Sequence, residues 1–136
     1  MNLGLTTTLT DTDFADAKQK VTAALADQGF GILTEIDVQA TLKKKLDEDM
    51  EPYTILGACN PTLAHQALGV QPQIGMLLPC NVVVRADTSD TTGRSMIVEA
   101  MNPGLMVSVT GEAGLEAVAA QASELLGNAI AALDSN

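Results

Sequence analysis

The chain has 136 residues, enough for one well-packed domain and too few for two ordinary ones, so residues 1–136 are read as a single domain. Its 46% hydrophobic content can fill a core, but with Trp 0, Tyr 1 and Phe 2 it has no aromatic platforms for stacking bases or sugars. A balance of 17 acidic against 7 basic residues, net charge -10, repels phosphate backbones and anionic lipid, so neither a nucleic-acid nor a membrane partner is expected.

The opening MNLGLTTTLTD has no basic region followed by a long apolar run. No later segment reaches the roughly 18 to 20 unbroken apolar residues that a membrane span needs, and two cysteines do not make a disulfide framework. A cytoplasmic, reduced protein is the expectation.

Leu3 to Thr10, rich in leucine and threonine, reads as a first strand. A helix starts at Thr12 or Asp13, with Phe14, Ala17, Val21, Ala24 and Leu25 at helical spacing, and Gly29 ends it. Gly31 to Ile36 supplies a second strand. Asp37 caps a short helix from Val38 to Leu46, with Lys43, Lys44 and Lys45 at its C-terminal end. These lysines form either a solvated face or an anion-binding patch.

Glu51-Pro52 breaks the chain, and Tyr53 to Ala58 is a third strand. Asn60-Pro61 is a helix start, because Asn accepts from free first-turn N–H groups and Pro is tolerated at the first helical position; the helix runs to Leu68. A loop around Gln71 to Gly75 leads to a buried strand, Cys80 to Ala86. A polar turn, Asp87 to Gly93, connects it to a returning strand, Ser95 to Ala100. After Asn102-Pro103-Gly104, Leu105 to Val109 reads as an extended piece. A long amphipathic helix then runs from Glu112 to Leu133.

A sheet of four or five strands with helices gathered on one face is an α+β two-layer sandwich. A doubly wound fold is disfavoured, since no glycine-rich phosphate turn follows the first strand and Val84 to Met96 reads as a direct hairpin.

Four stretches carry a family resemblance: EIDV with TLKKK (Glu35–Lys45), YTILGACNP (Tyr53–Pro61), AHQAL (Ala64–Leu68) and GMLLPCNVVV (Gly75–Val84). In their order and residues they resemble the DUF302 domains, a set of small, mostly prokaryotic domains without an established function. The resemblance implies a strand-helix-four-strand-helix core similar in shape to the TATA-binding protein, with Val38–Leu46 and Thr62–Leu68 as two short extra helices. It also implies a homodimer. A fold shape carries no DNA-binding function with it.

The chemistry-bearing residues cluster between Cys59 and Cys80. If the third and fourth strands are antiparallel neighbours, Cys59 and Cys80 reach one edge of the sheet, with His65 on the helix between them. Cys59, His65 and Cys80 are then a candidate metal set, with Asn60, Asn81, Glu99 or water to complete a shell. The long spacing lacks a C-x-x-C hook.

Cys59 precedes a helix start that favours a thiolate, so Cys59 with His65 as base is the candidate catalytic pair; Cys80 opens an apolar strand that favours an inert thiol. Asn60, Cys80, Asn81, Lys44 and Arg85 are candidate ligand-binding residues, Arg85 being alternatively an ion-pair partner of Asp87 or Glu99. Three functions stay open. The first is a homodimeric domain binding a small ligand or metal, and the second is a thiol-dependent enzyme or sulfur carrier using Cys59. The third is an interaction module joined through the apolar pieces around Met76 and Met101. No cofactor is named by these residues, and whether the chain is an enzyme stays undecided.

Overall fold

A computed structural model of the chain describes residues 2–134; residues 1, 135 and 136 of the expected domain lie outside the described residues. Five strands, β1 (Gly4–Leu9), β2 (Gly31–Asp37), β3 (Tyr53–Cys59), β4 (Cys80–Ala86) and β5 (Met96–Met101), form one antiparallel sheet in the order β1-β5-β4-β3-β2. The helices are α1 (Phe14–Asp27), α2 (Val38–Leu46), α3 (Pro61–Val70), α4 (Gly104–Thr110) and α5 (Glu116–Asp134). The α+β sandwich with a strand-helix-four-strand-helix core is thus the observed architecture.

Because β1 and β2 are the two edges of the sheet, α1 must carry the chain across its full width. A helix of 14 residues does this, being about 21 Å long against roughly 19 Å for five strands. The Asp13 carboxylate starts α1 by accepting from the Asp16 N–H at 2.8 Å. Its end needs Gly29, whose φ of 85° is the left-handed conformation that lets the Phe30 N–H donate back to the Leu25 carbonyl at 2.9 Å. That turn delivers Phe30, 2% exposed, under the sheet.

Period-two alternation sends Leu9, Leu56, Ala58, Val82, Val84, Met96, Val98 and Ala100 to one face, where α1 and the C-terminal half of α5 bury them. A second, smaller core forms beyond the end of the sheet, where Leu63 and Ala67 of α3, Met106 of α4 and Leu115, Val118 and Ala122 pack around Ile74. The opposite face carries Tyr53, Ile55, Val83, Ile97 and Met101, all half-buried. Gly57 on that face is a close-approach position: a side chain there would meet Thr34 and come within 2.8 Å of the Pro79 ring.

Three segments differ from the sequence reading. Leu105–Val109 is not extended but lies in α4. The Gly104 N–H donates to Asn102 Oδ1 at 2.9 Å, and burial of Met106 (2% exposed) in the second core fixes the turn as a helix despite β-branched Val107 and Val109. The Gln71–Gly75 loop is instead a 3-10 helix, Pro72–Leu77, begun by a Gln71 side chain that accepts from the Gln73 N–H. The long last helix begins at Glu116 after a 3-10 turn at Ala113–Leu115, because Glu112 caps that turn by accepting from the Gly114 N–H. Among the described residues no helix is long and apolar enough to cross a membrane.

Candidate functional site

β3 and β4 are antiparallel neighbours, and their last register pair is Ala58 opposite Cys80. Cys59, one residue further along β3, therefore sits beside Cys80 at the sheet end. Asn60 follows as the N-cap of α3, its side-chain oxygen accepting from the Leu63 N–H at 3.2 Å, and Pro61 occupies the first turn. This cap turns α3 back over the sheet end.

Between that end and the helices lies a half-open cleft of about 290 Å³. The sheet contributes Ala58, Cys59 and Cys80, and α3 contributes Asn60, Leu63, Ala64 and Ala67. Met106 of α4 and Val118 and Ala122 of α5 form the far wall, while Phe30, Leu78 and Pro79 close the sides. The cleft is thus the seam between the two cores, and alanine at 58, 64, 67 and 122 leaves it unfilled. Leu33, the extra residue of a β-bulge between Ile32 and Thr34, stands at the mouth 68% exposed.

Both cysteines are free thiols; Cys59 is half-buried and Cys80 is 7% exposed. Burial in this apolar seam pushes the Cys80 thiol up from 9.0 to about 11, with a smaller contribution from the neighbouring Cys59. At neutral pH that keeps the Cys80 thiol in its protonated form. It makes no hydrogen bond among the described residues.

The other sequence candidates are placed elsewhere. His65 lies on the exposed side of α3 and forms no part of the cleft wall, so the arrangement of Cys59, His65 and Cys80 around one point is not assembled. Among the described residues no group of three or more His, Cys, Asp or Glu side chains is placed to hold a metal ion. The physical reason is helical phase: α3 turns Leu63 and Ala67 inward, and 65 falls roughly 200° around the helix from 63.

Asn81 and Arg85 alternate with the buried residues of β4 and so lie on the opposite face of the sheet. There the Arg85 Nε–H donates to Glu99 Oε1 at 2.8 Å, an ion pair that raises the guanidinium pKa further. Lys44 is exposed on α2, where its neighbour Lys43 pairs with Asp47 and Asp49 at 2.9 and 3.0 Å. Of the expected site residues the structure brings together Cys59, Asn60 and Cys80. Sequence reasoning missed the alanine wall, for which the one available signal was alanine at 64 and 67 on the face of α3 that also carries Leu63.

A family model described as "Domain of unknown function DUF302" matches residues 5–133. No curated protein matches the chain. The fold is similar to that in a crystal structure of an uncharacterized conserved protein, DUF302, from Bacillus stearothermophilus, with a TM-score of 0.85, 23% sequence identity, and coverage of 96% of this chain and 98% of that one. At that identity the likeness carries the fold alone.

Proposed function

We propose that this chain, which belongs to the DUF302 family, is a binding domain for a small ligand held in the cleft between the sheet end and α3, α4 and α5. The observation that carries this is an unfilled seam of about 290 Å³ between the two hydrophobic cores, walled almost wholly by apolar side chains, alanines among them, and by both cysteines. Free thiols at 59 and 80 fit residence in a reducing, cytoplasmic compartment. A metal centre has less support, because only two of its three expected donors converge. A thiol enzyme has less support too, since His65 makes no hydrogen bond to Cys59 among the described residues.

Ala67→Leu tests the reading by filling the cleft from α3. In ligand-observed NMR screening of small-molecule mixtures, compounds that bind the wild type lose binding to A67L while its circular dichroism is unchanged. Equal binding to both proteins contradicts the reading.

A second copy of the chain is the partner that best fits the sheet face opposite the helices. Tyr53, Ile55, Val83, Ile97 and Met101 lie there around the Arg85–Glu99 ion pair, whose charges cancel. Thr6, Thr8, Thr34 and Asn81 share this face and are polar but uncharged, and on a chain of net charge -10 a face without net charge is where a like-charged copy approaches with least repulsion. The alternative of a subunit interface joining Met76 to Met101 has less support: Met76 belongs to the 3-10 helix packed on α3 and α4, and Met101 to the opposite face of the sheet.

A further inference from the structure

We infer that the ligand of this cleft is an uncharged, compact, largely apolar organic molecule, rather than a metal ion or a charged metabolite. The inference rests on the cleft being a ligand site and names the chemistry that the site accepts.

Among the described residues the wall contains no Asp, Glu, Lys, Arg or His. An ionised group entering it would leave water without meeting a counter-charge, which is strongly unfavourable, whereas apolar surface gains on entry. The Asn60 side-chain oxygen, the obvious acceptor, is already taken up by the α3 cap. What remains directional is the Asn60 side-chain NH2, which the cap does not use, and the Cys80 thiol, 7% exposed and without a hydrogen-bond partner among the described residues, with the Cys59 thiol beside it; all three are donors. A thiol is a weak donor suited to a single carbonyl, ether or thioether atom on an otherwise apolar molecule.

Size narrows the class further. An apolar cavity of about 150 Å³ is enough to hold benzene. The 290 Å³ here takes a molecule larger than one ring, but not a peptide helix or a sugar chain. Exposed Leu33 at the mouth extends the apolar path outward, so a short tail leaving the cleft still meets apolar surface.

The probes are 1-hexanol, hexanoate and hexylamine at pH 7, which share one chain and differ in charge, measured by calorimetric titration of the full chain. Hexanol is expected to bind at least about tenfold more tightly than either charged analogue. Its binding is expected to fall several-fold in Ala64→Leu and in Ala122→Val, two substitutions that narrow the cleft from opposite sides. Hexanoate or hexylamine binding as tightly as hexanol, with the same loss in both variants, overturns the ligand class while leaving the site standing. No binding by any probe, or binding that neither variant weakens, overturns the class together with the reading of the cleft as a ligand site.

Discussion

At the scale of single residues the account turns on Cys80. That Cys59 and Cys80 meet was legible from the sequence, because two apolar strands joined by a helix place YTILGAC and PCNVVV side by side once they pair. The position of His65 was legible only through helical phase, which depends on knowing that Leu63 and Ala67 mark the inner face of α3. The environment of Cys80 has a measurable consequence. Its folded pKa of about 11 lies above the ordinary 9.0, so the neutral thiol is the form that the fold favours. The resulting stabilisation is complete below pH 9 and is lost as pH rises through 11. Urea unfolding of wild type and Cys80→Ala across this range is expected to show the stability difference between them shrinking by about 2 to 3 kcal/mol. A difference that stays constant with pH would place Cys80 in a wetter site than described.

At the scale of elements, strands were read more reliably than the pieces that close the second core. Alternation in β4 and β5 is strong because one face is buried and the other is not, and that asymmetry is written in Cys80–Ala86 and Met96–Met101. Leu105–Val109 misleads for the same reason, since leucine and valine suit a strand equally well, and only the contact of Met106 with α5 and its neighbours decides for a helix. The free face of the sheet is where an element-scale prediction belongs. Ile55 lies on this face in β3, between Val83 of the central strand β4 and Ile36 of the edge strand β2. Ile55→Glu introduces a charge that a second copy would have to bury. Sedimentation velocity is expected to show a dimer for wild type and a monomer for I55E, with circular dichroism unchanged; a monomeric wild type at high concentration removes the second copy as partner.

At the scale of the whole molecule, the α+β class and the order of strands and helices were readable because each follows from local periodicity and turn chemistry. The cleft was not. It exists because two cores meet along a seam, and where α3 and α5 come to rest relative to the sheet end is set by packing between residues far apart in sequence. Alanine at 58, 64, 67 and 122 looks like ordinary composition in a chain with this much alanine; only their convergence makes room. The most direct test of that convergence is a titration of the labelled protein with 1-hexanol, followed by amide and methyl chemical shifts. The account predicts shifts concentrated at Ala58, Cys59, Ala64, Ala67, Cys80 and Ala122. Shifts centred instead on Tyr53, Ile97 and Met101 across the sheet, or no saturable shifts, would contradict it.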